Sequence, residues 1–191
     1  MPEQADPIAG LVADHREIEG VVTAARDAIT AACGSPAEAT LVAVALEALR
    51  DLEAFAEVDL ALHIAKEERV LFPALREAAE NATGDTIDDM LAQHDEVRER
   101  NQQLRAVLDA IDGHHDEVRA ETESLRVDLK TDPSPAVLES LLDTVKRLDW
   151  ILQGHFMDEE INLFEPAHEI FSAAVLSDLA LRMSALDAEY V

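Results

Sequence analysis

One arrangement of histidine, glutamate and proline occurs twice in the sequence, and this repeat limits the folds that the chain can adopt. The first copy runs from His63 to Ala74 and the second from His155 to Ala167. Both read H-x3-E-E-x2-L-F followed by Pro-Ala, with one extra residue before the second proline. A histidine and a glutamate four positions apart lie on one face of a helix, about 5–6 Å apart at Cβ. Each pair is therefore close enough to hold one metal ion or one shared proton.

A weaker repeat precedes each strong one and adds a lone histidine. His15 and His94 each follow a polar residue and precede a charged pair and an aliphatic residue. The chain thus reads as a helix with a histidine, a helix with H-x3-E, and then the same again. We expect two similar helical hairpins that face each other and direct these side chains to one central point. The six candidate metal ligands are His15, His63, Glu67, His94, His155 and Glu159.

Apolar residues at alternating spacings of three and four predict an all-α protein. We predict a single domain over residues 1–191, an antiparallel up-down four-helix bundle with its core at about residues 8–168. Pro73 should kink or end the first helix that carries the repeated motif, and Pro166 should end the second, because proline has no backbone N–H to donate. A further amphipathic helix at about residues 171–188 is expected to pack on the bundle.

The third helix poses a problem of length, because its apolar rhythm continues as far as Leu129. An unbroken helix would end far beyond the start of the fourth helix near Ala136, and a short link does not span that gap comfortably. With a turn at Gly113-His114, the stretch from His94 to Gly113 in the third helix is as long as the stretch from Ala136 to His155 in the fourth. We therefore predict a turn there and an inserted helix at about residues 114–130, outside the four.

Charge and cysteine content exclude several partners and sites. The 191 residues include 41 acidic and 15 basic side chains, a formal net charge of −26. Such a charge repels nucleic acid and anionic membrane surfaces, so cations are the natural partners. The sequence has neither an apolar run of the ~18 residues needed to cross a bilayer nor a secretory signal, so a cytoplasmic location is expected. Cys33 is the only cysteine, which excludes an internal disulfide and a thiolate metal site.

The six candidate ligands need cations to be stable inside a bundle. Burying an unpaired carboxylate is costly or forces it to take up a proton, and a pair of cations removes that cost. Imidazole with bridging carboxylate and no thiolate suits iron, and manganese and zinc also accept such donors. If Glu67 and Glu159 bridge two ions and the histidines complete the shells, each ion has about four protein ligands and keeps room for water, oxygen or peroxide.

A ferritin-like di-metal bundle would need Glu-x-x-His on two helices and a lone glutamate on the other two. Glu165-Pro-Ala-His168 is the one stretch with that spacing, but it contains a proline and has no mate. The chain instead has His-x3-Glu twice and a lone histidine twice. In this pattern and in its helix order it resembles the hemerythrin-like, or HHE cation-binding, family across residues 8–168.

The resemblance implies a non-haem di-iron centre, with an oxo or hydroxo bridge, that binds or reacts with oxygen, peroxide or nitric oxide. The chain departs from the oxygen carriers of that family, which have His-x3-His on the third helix, because Arg98 stands four residues after His94. Their fourth helix has His-x4-Asp, whereas this chain offers Glu159 at x3 and Glu160 at x4, and the internal repeat favours Glu159. Loss of the fifth histidine argues against reversible oxygen carriage.

Relatives with a similar set of four histidines and two glutamates are associated with iron or oxygen sensing and with peroxide or nitric oxide chemistry. The resemblance therefore favours a di-iron protein of oxidative stress that reacts with a small oxidant, for example by catalase-like decomposition of peroxide. The alternatives are a sensing or iron-sequestering protein without turnover, and a structural bundle whose histidines bond one another. His114, His115 and His168 are expected at the surface, outside the metal site.

Overall fold

The architecture is described from a computed structural model that covers residues 6–79, 83–122 and 133–190, with the backbone alone for 113–122. Every regular element within these residues is helical, as the apolar spacing predicted. In the same part of the chain, none of the helices combines the length and the apolar character needed to cross a membrane.

Four helical runs and a final helix follow one another along the chain. The first run is α1 (Pro7–Gly34) and the third is α5 (Gly84–Thr122). The second run, here called the second arm, joins α2 (Ala39–Phe55), the π turn π1 (Ala56–Leu60), α3 (Ala61–Lys66), π2 (Glu67–Leu71) and α4 (Phe72–Ala78). The fourth run, the fourth arm, joins α6 (Pro135–Glu159), π3 (Glu160–Phe164) and α7 (Glu165–Ile170). The final helix is α8 (Ala173–Asp187).

The long helices pack on one another around two apolar clusters. Helix α1 packs on α2 and α6, and α5 packs on the same two helices. Along α1, Leu11 belongs to one cluster and Ile18 to the other, with His15 between them. His94 has the same position in α5. The predicted site therefore lies where the two apolar clusters meet, and one cluster packs next to it in each direction along the helices.

Ion pairs between helices show how α1 and α6 run relative to each other. Arg16 contacts Glu160 and Arg26 contacts Asp149, so residue numbers rise along α1 as they fall along α6. These pairs agree with a hemerythrin-like helical bundle. The complete up-down topology of the four runs stays a prediction.

Neither Pro73 nor Pro166 ends its helical run, so the prediction that these prolines end helices is wrong. Each proline lies in the first turn of a short helix, α4 or α7, where the missing N–H has no helical partner to lose. The residue before each proline donates a hydrogen bond five residues back, Phe72 to the Glu67 carbonyl and Glu165 to the Glu160 carbonyl. Each π turn therefore ends two residues before its proline, and the helical run continues through the π turn and the proline.

The predicted turn at Gly113-His114 is also wrong, because α5 runs unbroken through it to Thr122. A single glycine inside a helix costs only about 1 kcal/mol relative to alanine, and the apolar rhythm continues beyond it. The predicted inserted helix at about 114–130 therefore begins as part of α5. Its remainder, residues 123–130, lies outside the described residues.

Helix α8 corresponds to the C-terminal helix expected at about residues 171–188. It packs against α1 and α3, and its buried side chains are Leu179, Met183 and Leu186. Lys66 of α3 also contacts Asp187 at 3.3 Å. This helix covers the face that α1 and the second arm share.

Candidate metal centre

The structure brings all six predicted site residues together, and each is at most 2% exposed. Their ligand atoms form two groups, within each of which all atoms lie within 4.8 Å of one another. The first group consists of His15, His63, Glu67 and Glu159, and the second of Glu67, His94, His155 and Glu159. The two glutamates belong to both groups, so the cluster has two positions suited to cations, side by side.

Each glutamate directs one oxygen to each group. Glu67 places Oε1 3.3 Å from His63 Nε2 and Oε2 3.4 Å from His94 Nε2. Glu159 does the same with Oε1 3.3 Å from His155 Nε2 and Oε2 3.4 Å from His15 Nε2. A carboxylate that bridges two ions needs this arrangement, in which its two oxygens face different ions.

Several of these inward-facing atoms have no hydrogen-bond partner among the described residues. They are Nε2 of His15 and His63 and all four carboxylate oxygens of Glu67 and Glu159. An unsatisfied buried polar atom costs about 1–3 kcal/mol, and native proteins keep few of them. Imidazole nitrogen and carboxylate oxygen are donors that iron, manganese and zinc accept. The donor set and its unpaired atoms therefore fit a pair of such cations.

Four outer residues, which the sequence reasoning missed, hold the other ring nitrogens of the histidines. Nδ1 of His15 donates to Glu160 at 3.0 Å, and Nδ1 of His94 donates to Glu68 at 2.9 Å. Both glutamates are the second residue of the repeated Glu-Glu pair. Because an ionised carboxylate only accepts, these bonds place the proton on Nδ1 and leave Nε2 free to face the centre.

The remaining two outer residues precede the lone histidines in sequence. Asp14 accepts from Nδ1 of His63 at 3.4 Å, and Gln93 accepts through Oε1 from Nδ1 of His155 at 2.9 Å. The polar residue before each lone histidine was visible in the weaker repeat. Its partner was not, because it lies on a different helix.

The geometry also distinguishes the two adjacent glutamates of the fourth arm. Glu159 is fully buried and belongs to both ligand groups. The Glu160 side chain is 27% exposed and faces outward to His15 Nδ1 and Arg16. The internal repeat and the structure therefore favour the same residue, Glu159, as the inner one.

Cations outside the cluster hold the outer carboxylates. Arg16 contacts Glu160 at 3.0 Å, and Arg98 contacts Glu68 at 2.8 Å. Lys66 lies 3.7 Å from Asp14. Arg98, which stands where oxygen carriers have a fifth histidine, thus acts on the cluster through Glu68 and not as a ligand.

The pKa values of the four histidines are shifted in opposite directions, raised for His63 and His94 and lowered for His15 and His155. Burial alone would lower the pKa of His63, but the charge of Glu67 and the hydrogen bond to Asp14 raise it to about 9. Despite burial, Glu67 and Glu68 likewise raise the pKa of His94. Burial, with the charge of His94, lowers the pKa of His155 to about 3 in spite of Glu67. A protonated His94 can then donate to the neutral His155 across their 3.0 Å Nε2 contact.

The pKa values of the two inner glutamates are shifted in opposite directions. Burial and the adjacent charge of Glu67 raise the pKa of Glu159. Burial acts in the same direction on Glu67, but the imidazoles of His63 and His94 hold the pKa of Glu67 well below its usual value. Without a cation, the centre therefore keeps protons between its carboxylates and imidazoles.

Phenylalanine rings pack against the cluster and separate it from water. Phe156 stacks on His15 with a centroid distance of 4.0 Å, and Phe72 lies parallel to His94 at 5.9 Å. Of the three remaining histidines, His168 is 45% exposed and contacts Asp6 at the surface, as predicted. The side chains of His114 and His115 lie outside the described ones.

Fold and site together define an all-helical protein with a buried cluster of cation ligands. The family model of the hemerythrin HHE cation binding domain matches residues 6–112. Since this match spans more than half of the 191 residues, the chain belongs to the hemerythrin HHE cation-binding family. His155 and Glu159 lie beyond the matched segment and join the site through the fold. A search of curated proteins returned no significant match.

Proposed function

We propose that the chain holds two iron ions in the His/Glu cluster and reacts there with a small oxidant, namely oxygen, hydrogen peroxide or nitric oxide. The observation that carries this proposal is the set of buried, inward-facing nitrogen and oxygen atoms without a hydrogen-bond partner. Their division into two groups that share Glu67 and Glu159 supports two ions rather than one. The family to which the chain belongs supports cations as the ligands.

When bound, a pair of iron ions supplies one-electron steps to a small oxidant. The residues of the chain supply binding, orientation and protection. Hydrogen bonds at Nδ1 hold each imidazole with Nε2 toward the centre, and the stacked phenylalanine rings exclude bulk water.

The finer architecture belongs to the same proposal. We infer that the four helical runs form one antiparallel up-down bundle within a single domain. The pairing of Arg16 with Glu160 and of Arg26 with Asp149 supports opposite directions for α1 and α6. Arg147 of α6 contacts Glu96 of α5, close to the contact between His155 and His94. These two contacts support opposite directions for α5 and α6.

Elemental analysis tests the metal content directly. Protein expressed with added iron should contain two iron equivalents per chain, and a Glu67→Ala, Glu159→Ala double variant should lose them. A double variant of two exposed glutamates, Glu17→Ala with Glu169→Ala, is the matched control. One equivalent or none in the wild type, or full occupancy in the first double variant, would refute the bridged pair.

Reactivity is tested with peroxide and oxygen. Addition of hydrogen peroxide to the iron-loaded protein should release oxygen, with peroxide both oxidised to oxygen and reduced to water, and His94→Ala should abolish the release. A His168→Ala variant, altered at a surface histidine, should behave as the wild type. A reversible change in absorption with oxygen but no turnover would instead indicate a binding protein, and inertness toward both would indicate iron sequestration.

A further inference from the structure

Each cluster histidine makes a hydrogen bond at Nδ1 to an outer residue, and one of these four hydrogen bonds differs from the other three. His15, His63 and His94 each donate to a carboxylate, and each of those carboxylates has a cation beside it. His155 donates to Gln93, a neutral amide that forms no ion pair. Hydrogen bonds to ionised partners are roughly twice as strong as neutral ones. His155 is therefore the one histidine of the cluster whose outer acceptor is uncharged.

A large groove lies at this same position. It runs between α5 and α6, has a volume of about 640 Å³, and is lined by both Gln93 and His155. Smaller pockets of about 190 and 250 Å³ lie beside Glu68 and Glu160, and no cluster histidine lines either of them. Beside His63, Lys66 contacts both Asp14 and Asp187, the last residue of α8.

Gly154 lines this groove without a side chain. It lines the groove directly before His155, and a Cβ placed on it would meet no heavy atom within 4 Å. A larger side chain at this position would therefore extend into the open space without straining the helix. Gly154 lies near the C-terminal end of α6, and its lack of a side chain leaves that space open.

The charges around the groove favour uncharged molecules. Glu96 and Asp158 line it, and Arg147, which also lines it, contacts Glu96 at 2.8 Å and lies over the Trp150 ring. The net charge of −26 adds a long-range field that repels anions. Oxygen, nitric oxide and hydrogen peroxide carry no charge at neutral pH and are not repelled.

We propose that the groove between α5 and α6 is the entry route for small uncharged molecules to the centre. Such molecules arrive at the contact between Gln93 and His155 and first meet the cation position of His94 and His155. The route rests on the proposed di-iron function. It assigns different tasks to the two positions, because neither His15 nor His63 lines this groove.

Nitric oxide uptake by the reduced, iron-loaded protein tests this route, followed by visible absorption in a stopped-flow instrument. Gly154→Leu should slow uptake by roughly tenfold, because entry must then wait for side-chain or helix motion. Gly154→Ala should give a smaller delay. Gly20→Leu, at an exposed helical glycine with equally free space at Cβ, should match the wild type. Iron content and the final absorbance should be unchanged in all of them.

A second variant decides the question if Gly154→Leu binds less iron. Trp150→Ala widens the groove and should speed uptake. An unchanged rate in Gly154→Leu at full iron content, equal slowing in Gly20→Leu, or no acceleration in Trp150→Ala would overturn the route while leaving the di-iron proposal intact. A wild-type protein that holds iron but takes up no nitric oxide would overturn the route alone, and one that holds no iron would overturn both proposals.

Discussion

At the scale of single residues, each histidine of the centre is held from outside by a hydrogen bond at Nδ1. Nε2 faces a glutamate shared by both groups, and Nδ1 donates to an outer acceptor on a neighbouring helix. Such outer acceptors set the tautomer and the ring orientation of a metal-binding histidine. Their removal should therefore weaken metal binding although no ligand is lost.

Glu68→Ala tests this expectation. His94 would lose the acceptor for Nδ1, and Arg98 would lose one of its two carboxylate partners. We expect the affinity for iron to fall by about 10–100-fold, the usual effect of removing an outer partner. Competition with a chelator measures it. Glu169→Ala, at an exposed glutamate of α7, should leave the affinity unchanged, and equal affinity in both variants would contradict the assignment.

The protonation of His63 makes the stability of the metal-free protein depend on pH. Its pKa is about 9 in the folded protein and about 6.5 in the unfolded chain. Between these values the folded state holds a proton that the unfolded state has lost. The free energy of unfolding should therefore fall with rising pH, by roughly 1 kcal/mol per pH unit at most, and the contribution of His63 is gone above pH 9.

Urea unfolding of the metal-free protein at pH 7, 8 and 9 measures this slope. His63→Gln should reduce it, because the proton that is linked to folding is then absent. His168→Gln, at the surface, should keep it. A free energy of unfolding that stays level or rises over this range in the wild type would show that His63 is neutral in the folded protein.

The inner residues of the centre were predictable from the sequence and the outer ones were not. Spacing of four within the repeated motif fixes that His63 and Glu67 share one face of their own helix. It does not fix which residue of another helix reaches them. Glu160 bonds to His15, 145 positions away in sequence, and only the packing of α1 against the fourth arm brings the two together.

At the scale of helices, the errors of prediction concern where helices stop. Proline was expected to end the second and fourth runs, but a π turn before each proline lets the helix continue. Glycine was expected to end the third run, but α5 passes through Gly113. Local residue preferences of about 1 kcal/mol for glycine and about 3 kcal/mol for proline are smaller than the packing energy of a long apolar face, so the packing decides.

Helix α8 should contribute to stability through its buried face. Leu179 is 1% exposed and Leu181, on the same helix, is 64% exposed. Leu179→Ala should lower the free energy of unfolding by about 2–4 kcal/mol, because it removes buried methyl groups and leaves a cavity. Leu181→Ala should change it by less than about 0.5 kcal/mol. Similar effects in chemical denaturation would indicate that α8 does not pack as described.

At the scale of the whole molecule, the net charge of −26 opposes the compact state. Acidic side chains outnumber basic ones so strongly that repulsion outweighs the surface ion pairs. Raising sodium chloride from 0.01 to 0.5 M shortens the screening length several-fold, so the melting temperature of the metal-free protein should rise by a few degrees. Sucrose of equal osmolarity is the control for solvent effects, and a melting temperature that falls with salt would show that the ion pairs dominate.

Trp150 is the only tryptophan of the chain, and it stands on the wall of the groove that His155 also lines. Its indole is 65% exposed and lies under the guanidinium of Arg147. All tryptophan emission of the protein therefore originates beside this groove. A change in its intensity or wavelength reports on one known place in the molecule, so the chain contains a built-in fluorescent reporter that requires no label.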